Sequence, residues 1–245
     1  MSIFRLQQFS VSQERAAMKI CTDSLLFGAM MPVCPEGRVL DIGAGCGLLS
    51  LIAAQLGAGR VIGVELMDDA CREAAENFRR SPWADRLQAV RDSIQHFADL
   101  ESGRYDLIVS NPPFFENHLN ADEPMRNAAR HNVHLTHAEL VGIAARLLAR
   151  DGVFYVLLPV QSGITFTRLC AQAGLHLWRQ AVFRGYAHSK AKVAALTFGR
   201  QPVSAPVFET ITVYDEPGVY SATARTCLAK LLMRFAGSEN AKGTG

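Results

Sequence analysis

The chain has 245 residues and a formal net charge of +2, and 49% of its residues are hydrophobic. This length suits one large α/β domain with a substantial core, and no apolar run is long enough to predict a membrane span. The net charge neither requires nor excludes a polyanionic partner. Evidence for such a partner therefore has to come from the distribution of charge along the chain.

The six cysteines are scattered and include no C-x-x-C pair. This usage is typical of reduced thiols in the cytosol, and the amino terminus lacks the apolar core of a signal peptide. We therefore expect a cytoplasmic protein with one main domain, no membrane partner and a monomeric state.

The first 35 residues predict an N-terminal flap or hairpin followed by a first helix. The helix is expected to start at Thr22, Asp23 and Ser24, because such side chains satisfy the free N–H groups of a first turn. A contact from Thr22 to a bound ligand is the alternative interpretation.

A glycine-rich turn comes next. An apolar strand beginning at Arg38 carries Asp41 near its end and runs through Gly43, Gly45 and Gly47 directly into a helix. Such a turn brings bare backbone and a helix N-terminus to a ligand at the end of the strand, although tight packing alone can also explain it. The G-x-G-x-G spacing differs from the dinucleotide fingerprint G-x-G-x-x-G and disfavours an NAD-linked dehydrogenase. A G-x-G-x-G turn that follows an acid resembles the first motif of S-adenosylmethionine-dependent methyltransferases.

Acidic residues end the next two predicted strands. Glu65 lies 20 residues after Gly45, where a carboxylate can accept hydrogen bonds from both hydroxyls of a ribose. Asp92 ends the strand that begins at Leu87, and capping of a helix that starts at Ser93 is one explanation for it. In the methyltransferase pattern, Asp92 resembles the acid that accepts the adenine amino group of the cofactor.

The fourth predicted strand, Tyr105 to Val109, is followed by Asn111, Pro112, Pro113 and Phe114. The two prolines cannot continue a strand, because each fixes φ and lacks a backbone N–H. The amide of Asn111 offers one acceptor and two donors, and Phe114 offers a flat face. This combination suits the binding of a planar ring that bears an amino group.

A long polar segment from Glu116 to Thr136 follows this motif. Loops of this length in compact domains are usually functional, so a substrate-contacting lid that includes Arg130 and His131 is expected. His131 and His134 are three residues apart, but no cysteine and no H-E-x-x-H pattern accompany them, and we expect no metal.

The second half of the chain predicts alternating helices and strands. We expect helices at 136–150 and 161–173, a fifth buried strand at 153–159, an antiparallel strand pair at 175–183 and 192–198, and a C-terminal piece with elements at 208–213 and 222–235. The predicted units are a flap with a first helix (1–35), a core (36–200), a small extension (201–236) and a disordered tail (237–245).

Basic residues are concentrated around the predicted strand pair. Five basic residues and no acid lie between positions 179 and 200: Arg179, Arg184, Lys190, Lys192 and Arg200. One interpretation is a solvated edge hairpin, in which lysine discourages pairing at a sheet edge. The other is a phosphate-binding patch, in which Arg184, Lys190 and Lys192 contact RNA.

Four of these features, taken in order, resemble the amino-group methyltransferases of the Rossmann-like class: the 41–47 turn, Glu65, Asp92 and the 111–114 motif. The resemblance covers nearly the whole chain. It implies a class I α/β fold with a seven-stranded, mostly parallel sheet, an antiparallel C-terminal hairpin and helices on both faces. It also implies S-adenosylmethionine as the cofactor, held by Lys19, Thr22, Asp41, Gly43, Gly45, Gly47, Glu65 and Asp92.

Several shorter segments resemble the bacterial tRNA adenine-N6 methyltransferases that act on a valine tRNA beside the anticodon. These segments are Gln8-Phe9, 18–23, 81–83, 126–131 and 217–220. The resemblance implies a tRNA partner, methylation of adenosine 37, and Asn111, Pro112, Pro113 and Phe114 as the catalytic set. The motif suits a glutamine amide as well as adenine N6. A glutamine methyltransferase acting on a translation factor therefore stays an alternative, as does a non-catalytic protein that binds RNA and cofactor.

Overall fold

The computed structural model describes residues 2–15, 18–112 and 135–236. The predicted tail lies outside the described residues, and so does nearly all of the predicted lid. Four predicted site residues also lie outside them: Pro113, Phe114, Arg130 and His131.

Twelve strands are present in the described part of the chain, and most belong to one large sheet. The N-terminal hairpin consists of β1 (Ile3–Arg5) and β2 (Ser10–Ser12). The large sheet contains β3 (Arg38–Ile42), β4 (Arg60–Glu65), β5 (Leu87–Arg91), β6 (Tyr105–Ser110), β7 (Leu148–Pro159), β8 (His176–Arg184), β9 (Val193–Gly199) and β10 (Val207–Thr212). A C-terminal hairpin consists of β11 (Tyr214–Glu216) and β12 (Val219–Tyr220).

Seven α-helices accompany these strands within the described ranges. They are α1 (Thr22–Ala29), α2 (Leu48–Gln55), α3 (Asp68–Arg79), α4 (Ile94–Leu100), α5 (His137–Leu147), α6 (Gly163–Gln172) and α7 (Ala222–Leu228). None of these helices is long and apolar enough to cross a membrane.

The strand order in the large sheet is β10-β8-β9-β7-β6-β3-β4-β5. β9 pairs antiparallel with both β7 and β8, and every other pair in the sheet is parallel. The prediction of a mostly parallel sheet with an antiparallel C-terminal hairpin is therefore confirmed. The predicted count of seven strands is wrong for the described residues, because β10 adds an eighth strand parallel to β8.

Helices cover both faces of the sheet, as predicted. Val39 faces a core cluster with α1, α2, α3 and α7, whereas its neighbour Leu40 faces the cluster of α4, α5 and α6. Because successive side chains of a strand point to opposite faces, a strand covered on both faces has to be apolar throughout. This requirement explains the continuous apolar runs seen in the sequence.

The predicted helix over 136–150 is too long at its C-terminal end. α5 stops at Leu147, and β7 begins at once with Leu148, which pairs with Tyr105 ahead of a register shift. The guanidinium of Arg200 donates hydrogen bonds to the carbonyls of Ala145 and Leu148, the latter at 3.1 Å. This cation satisfies helix-terminal carbonyls and fixes the transition from helix to strand.

Candidate active site

The carboxyl ends of neighbouring strands bring the predicted residues to one edge of the sheet. Gly43 N donates a hydrogen bond to the Val64 carbonyl at 2.9 Å, and Asp92 N donates to the Glu65 carbonyl at 3.2 Å. Ser110 Oγ, which is buried, donates to the Ile42 carbonyl at 2.9 Å. These contacts join the ends of β3, β4, β5 and β6. The edge they form is where open α/β sheets bind ligands.

Glycine occupies the three positions of the turn for different structural reasons. All three have positive φ, at 75° for Gly43, 56° for Gly45 and 82° for Gly47. A Cβ at Gly47 would collide with the Phe78 ring of α3, so this glycine serves close packing. A Cβ at Gly43 or Gly45 would meet no described atom within 4 Å. These two positions therefore keep backbone open towards the space that a ligand would occupy.

Glu65 is attached directly to this turn. Its Oε2 accepts a hydrogen bond from Gly45 N at 2.8 Å, and its Oε1 accepts one from Met67 N at 2.8 Å. The side chain is partly exposed. Each carboxylate oxygen can accept more than one hydrogen bond, so both oxygens keep capacity for a ligand hydroxyl.

Asp41 lies beneath the turn and is fully buried. Its Oδ2 accepts a hydrogen bond from Ser50 Oγ at 2.7 Å, and its Oδ1 lacks a partner among the described residues. Burial raises the pKa of this carboxyl to about 7, outweighing the opposite effect of the Ser50 hydrogen bonds. The protonated form is therefore substantially populated near neutral pH.

Replacing Asp41 by asparagine is expected to change how stability depends on pH. The folded-state pKa of about 7 exceeds the ordinary value of about 4, so this carboxyl stabilises the fold most below pH ~4. That contribution is lost as the pH rises through about 7. In thermal unfolding, the stability of Asp41→Asn relative to wild type should increase from about pH 5 to about pH 8. The exposed Asp69→Asn serves as the matched control, and a pH-independent difference for Asp41→Asn would contradict the expectation.

Asn111 directly follows the last residue of β6 and lies beside this space. The side chain is partly exposed, but its Oδ1 is buried and has no hydrogen-bond partner in the described part of the chain. The next residue, Pro112, is buried and has no N–H to offer. Leaving a buried acceptor unsatisfied costs about 1–3 kcal/mol. This oxygen is therefore available to a donor from outside the described residues.

Asp92 does not act as the N-cap of α4. That position belongs to Ser93, whose Oγ accepts from His96 N at 3.1 Å. The Asp92 carboxylate accepts instead from Ser93 N at 2.8 Å and lies 2.7 Å from His96 Nδ1. His96, which the sequence did not single out, thus orients Asp92 beside the end of β5.

The two N-terminal candidates have partners of their own. Lys19 Nζ donates to the carbonyls of Gln13 and Glu14, the latter at 3.3 Å. The hydroxyl of Thr22 lies 3.2 Å from the hydroxyl of Tyr214. Lys19 therefore folds back on the N-terminal segment, and Thr22 joins the start of α1 to β11. Their cofactor contacts stay predictions.

The basic residues around β8 and β9 do not form a single patch. Arg179 Nε donates to Glu209 Oε1 of β10 at 2.6 Å, Arg184 Nε donates to Thr212 Oγ1 at 2.9 Å, and Arg200 caps α5. The interpretation as a solvated edge hairpin is wrong, because β10 covers β8. Lys190 and Lys192 are exposed in the loop between β8 and β9, at the same sheet edge as Asn111.

Two buried polar residues of α3, Glu73 and Asn77, hold the N-terminal segment in place. Glu73 Oε1 accepts from Glu14 N at 2.7 Å, while Asn77 accepts from Ser12 N and donates to the carbonyls of Ser12 and Cys46, each at 2.9 Å. Asn77 thus joins the N-terminal hairpin to the glycine turn. Polar side chains on the otherwise apolar stripe of α3 were a signal in the sequence that could have revealed this role.

No group of three His, Cys, Asp or Glu side chains within the described ranges is arranged to hold a metal ion. The histidines that raised the metal question in the sequence, His131 and His134, lie outside those ranges.

Comparison with known proteins gives a family match and a fold match. The family model "Methyltransferase small domain" matches residues 16–165. The Yersinia pestis (strain Pestoides F) protein named "tRNA1(Val) (adenine(37)-N6)-methyltransferase" is 39% identical over 220 residues, which are 89% of this chain and 88% of that protein.

Solved structures with the same architecture are much more distant in sequence. The ribosomal protein L11 methylase from Lactobacillus delbrueckii subsp. bulgaricus has a TM-score of 0.54 and 18% identity, covering 78% of this chain and 84% of that chain. The M. jannaschii tRNA m1G37 methyltransferase has a TM-score of 0.61 and 12% identity, covering 81% and 54%. These likenesses confirm the predicted Rossmann-like methyltransferase fold.

Proposed function

The chain belongs to the methyltransferase small domain family and to the family of bacterial proteins named tRNA1(Val) (adenine(37)-N6)-methyltransferase, and from this premise we propose its reaction. It transfers a methyl group from S-adenosylmethionine to the N6 amine of adenosine 37 in a valine tRNA. The cytoplasm is the compartment we propose for this activity.

The observation that carries this proposal is the buried Oδ1 of Asn111, directly after β6, which has no hydrogen-bond partner among the described residues. An exocyclic amine carries two N–H donors and can satisfy this oxygen. At the same edge of the sheet, the adjacent strand β3 is followed by the open turn at Gly43 and Gly45. The carboxylate of Glu65 accepts a hydrogen bond from that turn. One acceptor for an amine and one open nucleotide-type turn thus lie on adjacent strands.

The residues of the turn fit S-adenosylmethionine. Glu65 has acceptor capacity for the ribose hydroxyls, Asp92 for the adenine amino group, and Asp41 Oδ1 is a buried acceptor without a partner among the described residues. Gly43 and Gly45 leave the volume that the cofactor would fill. When bound, this cofactor supplies a methyl group already activated by a positively charged sulfur.

Asn111 and Pro112 prepare the amine of the substrate. The lone pair of an adenine N6 amine is delocalised into the ring, which makes the amine a poor nucleophile. Hydrogen bonds from N6 to the Asn111 Oδ1 and the Pro112 carbonyl favour the tetrahedral nitrogen that develops during attack. The proline at 112 fixes φ and keeps these acceptors in position.

Base positioning accounts for the rest of the proposed catalysis. Holding the amine in line with the methyl group converts a bimolecular step into an effectively unimolecular one. Phe114, which lies outside the described residues, is proposed to stack on the base, a contact worth about 1–3 kcal/mol. A base that reacts at the end of β6 has to be turned out of the anticodon-loop stack.

The test is methyl transfer by the purified protein to valine tRNA, with nucleoside analysis by mass spectrometry. We expect N6-methyladenosine to appear at position 37 of the wild-type sequence, and none when position 37 carries guanosine. Labelled methyl groups recovered in a protein fraction containing a translation factor, and not in RNA, would instead indicate glutamine methylation and overturn the proposal.

A further inference from the structure

Five aromatic rings form a continuous ladder on one side of the sheet edge: His188, Tyr186, Tyr214, Tyr220 and Phe235. The rings of His188 and Tyr186 stack with centroids 5.5 Å apart and planes 5° apart. Tyr186 and Tyr214 are 5.8 Å apart, Tyr214 and Tyr220 are 4.9 Å apart, and Phe235 lies 5.8 Å from Tyr220. We call this set the aromatic ladder.

The ladder begins close to the catalytic edge. The loop that carries Tyr186 and His188 connects β8 to β9, and Val160 N at the end of β7 donates to the Lys192 carbonyl at 3.0 Å. From β6, which Asn111 directly follows, the path to β8 crosses β7 and β9. Three strand spacings of about 4.8 Å place the start of the ladder roughly 14 Å from the end of β6.

The two ends of the ladder differ in their surroundings. Tyr214, Tyr220 and Phe235 are partly buried and pack against the core, so their contacts also stabilise the C-terminal hairpin. His188, by contrast, is exposed, and Tyr186 is only partly buried in the loop. Two flat rings held parallel at a loop tip extend a stack towards solvent, which core packing does not require.

The far end of the ladder carries one cation, Arg234, against aromatic rings. The Arg234 guanidinium carbon lies 5.2 Å from the centroid of the Tyr220 ring. Arg225, Arg234, Tyr220 and Phe235 line a cleft of about 300 Å³ together with Gly218 and Val219. Guanidinium groups beside aromatic faces suit a base and its phosphate together.

We propose that the exposed end of the aromatic ladder, His188 and Tyr186, binds unpaired nucleotides of the RNA substrate next to the reacting adenosine. This inference rests on the proposed function, and it assigns a second RNA-contacting site beyond Asn111. Turning one base out of an anticodon loop leaves its neighbours without a stacking partner. Aromatic rings replace that stacking for any base, because every base has a flat face.

The charges near the ladder support stacking as the main source of selectivity. Lys190, Lys192 and Arg234 are exposed cations, but Asp215 and Glu216 are exposed acids on the C-terminal hairpin. The mixture of signs does not favour a long run of phosphates. Lys190 and Lys192 are assigned to individual phosphates, and the rings of His188 and Tyr186 to the bases.

The test compares binding of two RNA probes by fluorescence anisotropy, without methyl transfer. One probe is a hairpin carrying the anticodon loop of a valine tRNA, and the other is a fully paired duplex. The Tyr186→Leu/His188→Ala double variant is expected to bind the hairpin about ten-fold or more weakly and the duplex as wild type. Tyr186→Phe, which keeps the ring, should bind the hairpin as wild type.

Matched controls separate stacking from charge and from folding. Phe208→Leu removes an exposed aromatic side chain of β10 outside the ladder and should change neither probe. Lys190→Ala/Lys192→Ala should lower the slope of log affinity against log salt concentration for the hairpin by about 1.4, since each phosphate contact on a single strand contributes about 0.7. The Tyr186→Leu/His188→Ala variant should keep the wild-type salt dependence. Arg150→Ala removes an exposed cation outside the ladder and should change neither the affinity for the two probes nor its salt dependence.

Two outcomes would overturn the proposed role of the ladder in RNA binding. One is wild-type affinity for the hairpin in the Tyr186→Leu/His188→Ala variant, and the other is an equal loss of affinity for hairpin and duplex. Neither outcome depends on turnover. If wild-type protein prefers the hairpin through its rings but methylates no tRNA, the proposed function fails while the ladder stands. If the wild-type protein methylates tRNA and the Tyr186→Leu/His188→Ala variant binds the hairpin as wild type does, only the proposed role of the ladder fails.

Discussion

Replacing Asn111 by alanine is expected to lower the single-turnover rate constant for methyl transfer by on the order of 10³-fold, with cofactor affinity retained. The alanine removes the buried oxygen that is proposed to accept from the adenine amine, and with it the preorganised stabilisation of the developing tetrahedral nitrogen. Single-turnover methylation of valine tRNA measures the loss directly. Isothermal titration with S-adenosylmethionine measures affinity separately, because Glu65 and the glycine turn are untouched.

Asn111→Asp provides the matched control for this experiment. An aspartate has nearly the same shape and keeps an acceptor oxygen in the position of Oδ1, although it adds a charge and loses the two amide donors. We expect it to retain more activity than Asn111→Ala. Wild-type single-turnover rates in Asn111→Ala would refute the assigned role, and loss of cofactor binding in that variant would point to a folding defect.

The parallel half of the sheet could be predicted from local patterns. β3, β4 and β6 are apolar runs bounded by glycine, acid or proline, and burial on both faces demands that composition. β10 does not indicate its partner in the sequence, because only Ile211 of this edge strand is buried and its other residues are exposed or partly buried. Its parallel pairing with β8 depends on the path of the chain after β9, which is a non-local feature.

The same division between local and non-local information applies to the site. The positions of Gly43, Glu65 and Asn111 follow from motif spacing and strand order, and the structure places all three at one edge of the sheet. Arg179 belongs to a cluster of basic residues in the sequence, but its partner Glu209 lies 30 residues away along the chain. The ladder partners Tyr214 and Tyr220 are likewise brought to the loop at Tyr186 only by tertiary packing. A linear charge count cannot anticipate such pairings.

Replacing Glu65 by alanine is expected to weaken S-adenosylmethionine binding by about 100-fold or more. Hydrogen bonds to a charged group contribute about 1.5–3 kcal/mol each, and two ribose hydroxyls are proposed to donate to this carboxylate. The variant also frees the N–H groups of Gly45 and Met67, which now donate to Glu65 at 2.8 Å, so the turn itself loses its anchor. Isothermal titration gives the change in affinity.

Three further variants decide whether Glu65→Ala acts through the lost ribose contacts or through the loosened turn. Gly45→Ala keeps the Glu65 carboxylate but adds a methyl group where no described atom lies within 4 Å, so it tests whether that space belongs to the cofactor. We expect it to weaken binding with a smaller loss of thermal stability than Gly47→Ala, whose added Cβ would collide with Phe78. Asp85→Ala removes an exposed acid ahead of β5 and controls for net charge. If Glu65→Ala bound the cofactor as tightly as Asp85→Ala does, Glu65 would be a structural anchor of the turn and the ribose would have to be held by other residues.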